Sequence, residues 1–135
     1  LIVDRVGYML SEPARGDIVV FNAPGSGAGD PPLIKRMIGL PGDVIEMRDT
    51  QLYINGTLVD EPYINEACEE YRCRDNVWEL SDTQYFVMGD NRNHSRDSRS
   101  FGPIDHNMII GHALFRYWPL QDISLVTHIR FTPDE

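Results

Sequence analysis

The sequence contains no apolar run near the roughly 20 residues that a membrane-crossing helix needs. No leader-like segment opens it. The chain starts on Leu1-Ile2-Val3, which reads as a strand already under way, so a start inside a domain is expected. Positive charge is scarce: 12 Lys and Arg face 21 Asp and Glu, for a net charge of −9. That balance argues against a phosphate-binding surface, and so against a nucleic-acid partner. It argues equally against electrostatic docking on anionic lipid. Cysteine is limited to Cys68 and Cys73. In an oxidising compartment they could close a small loop; two free thiols are the alternative. No second Cys or His pair completes a set of four metal ligands, and no cofactor is expected. His94, His106, His112 and His128 are scattered without helical ligand spacing and read as surface or loop residues.

Long helical patterns are also missing. Stretches rich in Val, Ile, Tyr and Phe alternate instead with Gly, Pro, Asp and Asn clusters, the pattern of a mostly-β domain. At 135 residues, 41% hydrophobic and 24% charged, the chain fits one domain with a usable core. Strands are predicted at Ile2 to Tyr8, Asp17 to Asn22, Leu33 to Leu40, Val44 to Arg48, Gln51 to Ile54, Thr57 to Val59, Gln84 to Met88, Ile109 to Trp118, and Ile123 to His128. Asn55-Gly56 between two of these strands predicts a tight hairpin of the primed type. Asp49-Thr50 is expected to make the preceding turn. Ala23 to Pro32 is rich in Gly and Pro and reads as an exposed loop. Residues 61–82 are polar and read as an insertion or long excursion, and residues 128–135 as a tail.

Two segments could carry chemistry. In Leu33-Ile34-Lys35-Arg36-Met37-Ile38, alternation places Lys35 on one face and Arg36 on the other, each among apolar neighbours. Arginine there stays charged and needs a carboxylate. Lysine can instead lose its proton, because desolvation lowers its pKa from about 10.4 by up to several units. A neutral lysine is a competent general base, and Ser/Lys pairs are a known variant of nucleophilic catalysis. A lysine snorkelling to water from a strand edge is the plainer alternative. The second segment, Gly89-Asp90-Asn91-Arg92-Asn93-His94-Ser95-Arg96-Asp97-Ser98-Arg99, mixes hydroxyls, carboxylates and three arginines. Such a loop can be braced by Arg–carboxylate pairs and hold a hydroxyl against a catalytic group. A solvated polar loop is its plainer alternative.

Together with Arg15-Gly16-Asp17-Ile18-Val19-Val20-Phe21, these segments resemble, in order and spacing, three motifs of the bacterial type I signal peptidases. The other two are Lys35 to Asp43, and Gly89 to Arg92 with Ser95, Asp97-Ser98-Arg99 and Phe101-Gly102. The resemblance implies a mostly-β fold of two antiparallel sheets forming a catalytic core. It implies a membrane-anchored serine endopeptidase that removes signal peptides from exported preproteins after Ala-x-Ala-like sites, on the extracytoplasmic side of the bacterial cell membrane. By the same resemblance Lys35 matches the general base of the Ser/Lys dyad, Ser95 the serine that orients it, and Asp97 and Arg99 a supporting ion pair. Leu33 and Ile34 match the strand that pairs with substrate; Val20 and Leu1 match a wall of the pocket for the −3 side chain.

One family motif, Ser-Met-x-Pro-Thr with the nucleophilic serine, is absent from the chain, so the polypeptide as given is expected to be inactive. Its place would be just upstream of Leu1. Two other readings compete. One is a cytoplasmic, self-cleaving repressor-type protease with the same dyad logic, which would carry a DNA-binding domain upstream. The other is a non-catalytic β-domain that binds extended peptides.

Overall fold

The computed structural model describes residues 12–113 apart from 63 and 65. Nine strands are formed among them: β1 (Ile18–Phe21), β2 (Leu33–Gly39), β3 (Val44–Arg48), β4 (Gln51–Ile54), β5 (Thr57–Leu58), β6 (Asn76–Glu79), β7 (Gln84–Met88), β8 (Ile104–Asp105) and β9 (Ile109–Ala113). One short helix, α1, spans Ser98–Phe101. The strands form two sheets, one in the order β8-β7-β2-β1-β9 and one in the order β5-β4-β3-β6. Every pairing is antiparallel. This is the mostly-β, two-sheet architecture that the resemblance implied.

Local chemistry explains the small sheet. Asn55 and Gly56 both take positive φ, at 52° and 84°, which the primed hairpin turn demands and which Asn and Gly tolerate best. Asn55 also accepts from the Val44 amide through its side chain (2.9 Å) and donates to Asp43 (3.0 Å), so the turn is tied to the start of β3. Asp49 and Thr50 likewise sit at positive φ, as the β3–β4 turn.

The five-stranded sheet is covered on both faces. Ile38, Phe86 and Met88 pack against Ile45, Met47, Leu52, Ile54 and Leu80 of the small sheet and its flanks. Val19, Phe21, Met37, Tyr85, Val87, Ile104 and Ile109 form a second apolar cluster. Sandwiching of this kind accounts for the near-continuous apolar run of β2. Gly39 marks the tightest approach: a Cβ there would lie 2.6 Å from the Ile45 side chain and 2.9 Å from Leu80.

Part of the polar excursion departs from expectation. Asn76–Glu79 pairs with β3 as an edge strand, because Trp78 packs at a tilt against the Phe86 ring (centroids 4.7 Å apart) and Leu80 joins the core. With three of its four residues exposed, it shows no alternation that would mark it as a strand. Cys68 and Cys73 are joined by a disulfide and both are buried in the same core cluster. Strand β8 and helix α1 were also unforeseen. Leu1, the predicted strands Ile2 to Tyr8 and Ile123 to His128, and the tail at 128–135 lie outside the described residues. Residues 114–118, the end of the predicted Ile109 to Trp118 strand, lie outside them too.

Candidate active site

Strand β2 presents Lys35 on the face shared with Met37, opposite the buried Val19 of β1. Its Nζ donates to Ser95 Oγ at 2.9 Å, across 60 residues of sequence. Burial lowers the Lys35 pKa from its ordinary value; Asp97 pulls it back up, while Arg99 and Arg96 add to the lowering. Ser95 follows the 3₁₀ turn Arg92–His94 and returns to extended backbone. Gly89 lies directly behind the pair. A Cβ on Gly89 would overlap Ser95 Oγ and come within 3.5 Å of Lys35 Nζ, so only glycine lets the serine approach the amine.

Ion pairs hold the loop in this shape. Asp97, fully buried, accepts from Arg99 Nη2 (2.7 Å), Arg99 Nε (2.9 Å), the Arg99 amide (3.0 Å) and the Gly89 amide (2.9 Å). Burial alone would raise the Asp97 pKa, but the Arg99 hydrogen bonds and charge and the two amides outweigh it, and the carboxyl is held below its ordinary value. Arg99 Nη1 reaches the Arg92 carbonyl (3.0 Å) and both disulfide sulfurs, Cys73 Sγ at 3.2 Å and Cys68 Sγ at 3.6 Å. Ser98 Oγ accepts from the Val87 amide (3.0 Å) and fastens α1 to β7.

On the other face of β2, buried Arg36 grips Asp90 bidentately, Nε–Oδ1 2.9 Å and Nη2–Oδ2 3.0 Å, and donates to the Gly16 carbonyl (2.7 Å). Asp90 is thus the carboxylate that Arg36 required. Arg92 is clamped by Glu61 (2.6 and 3.0 Å) and donates to the Gly89 carbonyl (2.8 Å). Asn93 accepts from the Glu69 amide (2.7 Å) and donates to Glu66 (2.8 Å). These contacts bind the excursion to the loop that carries Ser95. Gly89 and Asn93 lay in the loop singled out from sequence, but without a role of their own, and Glu61 was not singled out at all.

Lys35, Ser95, Asp97 and Arg99 therefore meet in one cluster. Val20 and Ile34 are cross-strand partners, and Ile34 is half exposed. Pairing of β7 with β2 starts at Arg36, so among the described residues no strand covers Leu33–Lys35 on that side. Leu1 lies outside the described residues. Among those described, no three His, Cys, Asp or Glu side chains are grouped to hold a metal, and no helix is long and apolar enough to cross a membrane.

Residues 1–118 match the family described as signal peptidase, peptidase S26. The chain belongs to that family. The chain is 38% identical over 131 residues to a probable signal peptidase I-2 of Synechocystis, covering 94% of the chain and 58% of that relative. It is 36% identical over 139 residues to signal peptidase IB of Staphylococcus aureus, covering 90% of the chain and 70% of the relative. The chain thus spans a little over half of the length of the Synechocystis protein. A crystal structure of a signal peptidase I from Enterococcus faecalis superposes with a TM-score of 0.64 at 36% identity, covering 75% of this chain and 96% of that one.

Proposed function

We propose that this chain is the catalytic core of a serine endopeptidase that removes signal peptides from exported preproteins after Ala-x-Ala-like sites. The observation that carries the proposal is the Lys35 Nζ–Ser95 Oγ contact inside a partly desolvated, ion-pair-braced cluster. Lys35 is the general base. Ser95 orients its amine, and Asp97 with Arg99 holds the loop that carries Ser95. The reading assigns the nucleophile to a serine in a segment upstream of Leu1.

The chemistry follows from a neutral amine. The serine hydroxyl adds to the scissile carbonyl carbon while Lys35 takes its proton. Collapse of the tetrahedral adduct breaks the C–N bond, and Lys35 returns the proton to the leaving amine. Water, deprotonated by the same amine, then hydrolyses the acyl-enzyme. Substrate would lie as an added strand along the uncovered Leu33–Lys35 edge, with Ile34 and Val20 forming a shallow apolar wall that admits small side chains. A Cys68–Cys73 disulfide suits an extracytoplasmic, oxidising location. Membrane attachment through an upstream anchor completes the proposal.

The test uses the polypeptide with its upstream segment, in detergent, and an Ala-x-Ala peptide. Turnover is expected and is lost in Lys35→Ala. An intact fold that binds the peptide but never cleaves it would overturn the proposal in favour of a binding domain.

A further inference from the structure

A cleft of about 310 Å³ adjoins the cluster at Ser95. Its walls include Tyr71, Arg72, Arg74, Trp78 and Arg99, and no residue of β1 or β2. The Cys68–Cys73 bridge staples the loop that supplies Tyr71 and Arg72, and Arg99 touches both sulfurs. Arg99 is already neutralised by Asp97. Arg72 and Arg74 are different: both are exposed, and among the described residues no carboxylate pairs with either. One carboxylate, Asp75, also lines the cleft, and it accepts from the Asp49 amide (3.0 Å). The cleft is therefore locally cationic on a chain whose net charge is −9.

We propose that this cleft is a subsite for an acidic side chain of the peptide substrate, drawn from the segment beyond the scissile bond. The proposal rests on the peptidase reading above and adds a substrate preference to it. A peptide held against Leu33 and Ile34 presents its bond to Lys35, and the cleft meets the cluster at Ser95 and Arg99 rather than at Lys35. Residues on the acyl side are held away from it by β2, so those that follow the cleaved bond are the ones that enter. Arg72 and Arg74 then offer guanidinium donors to a carboxylate, with the Trp78 and Tyr71 rings beside its aliphatic stem.

The test measures kcat/KM for the polypeptide with its upstream segment on peptides that are identical except for Glu, Gln or Lys at each of the first few positions after the cleavage site. At one position Glu is expected to exceed Gln by about three- to tenfold, the range of one or two solvent-accessible charge pairs, and Lys to fall below Gln. The preference should shrink as salt rises. In Arg72→Gln/Arg74→Gln the Glu:Gln ratio should fall to about one, while Arg72→Lys/Arg74→Lys keeps most of it and Arg48→Gln, on the outer face of the small sheet, leaves the ratio as it was. Equal cleavage of Glu and Gln peptides at every position, or a preference that survives the double Gln variant, overturns the subsite. Absence of any cleavage by the unaltered protein would strike at the peptidase reading instead, and binding of uncleaved Glu and Gln peptides to the chain would then decide the subsite by the same ratio.

Discussion

Lys35 is the chain's only lysine, so its titration can be followed without interference from other side-chain amines. Burial lowers its pKa, which means the base form becomes available at a lower pH than for a free lysine. Peptidase activity should accordingly rise with pH and level off below the free lysine value. Acylation of Lys35 by an amine reagent, read by mass spectrometry, should show a midpoint below about 10.4; a midpoint there or above would count against a desolvated base. Gly89→Ala makes a second residue-scale prediction. The new methyl group must displace Ser95 or the backbone, at a cost of about 1–3 kcal/mol by analogy with overpacked cores. Activity should fall far more than stability does, because the displaced atom is the one bonded to Lys35. Equal kcat for Gly89→Ala and the parent would show that the Ser95 contact is dispensable.

The elements around the site are fastened in series: β2 to β7 by backbone pairing, β7 to α1 by Ser98, α1 to the disulfide loop by Arg99. The disulfide closes a short loop, and the chain-entropy estimate for its removal is roughly 2 kcal/mol. Replacing Cys68 and Cys73 by Ala should lower the urea midpoint accordingly. It should also loosen Arg99, so kcat is expected to drop even where the fold is retained at low temperature. If kcat in the double variant equals that of the parent under fully folded conditions, the disulfide loop does not brace the site. The β3–β4–β5 hairpins were readable because positive φ at Asn55-Gly56 is a local demand that two residues satisfy by themselves. Strand β6 was not readable: with Trp78 its one half-buried residue, its place depends on the Phe86 ring and on backbone bonds to β3, neither of which a window of sequence contains.

For the whole molecule, acid is the informative variable. Asp97 and Asp43 are both held below the ordinary carboxyl value; Asp43 by the Leu40 amide, Arg15 and Asn55, against burial. A carboxyl with a depressed folded pKa stabilises fully above its unfolded value, and that contribution fades as pH falls through the folded one. Asp90 acts in the opposite sense just above that window, because burial raises its pKa despite Arg36. Thermal stability should therefore fall steeply below about pH 4. Asp97→Asn should flatten part of that slope in a melting series across pH, while costing stability at neutral pH by leaving Arg99 without its carboxylate. An unchanged slope would mean that Asp97 is not among the groups responsible. The sequence alone determined strands β1 to β5, β7 and β9, the Asn-Gly hairpin, and a cation on each face of β2, because alternation and turn chemistry act over a few residues. It also supplied the motif order by which Lys35, Ser95, Asp97 and Arg99 were picked out. Only the tertiary structure decided that Asp90 answers Arg36, that Gly89 must lack a side chain, that Cys68 bonds Cys73, and that Glu61 clamps the loop. The Arg36–Asp90 and Arg92–Glu61 contacts join segments 54 and 31 residues apart, and even the short-range Cys68–Cys73 and Gly89–Ser95 approaches depend on burial and close packing, which exist only once the two sheets have packed.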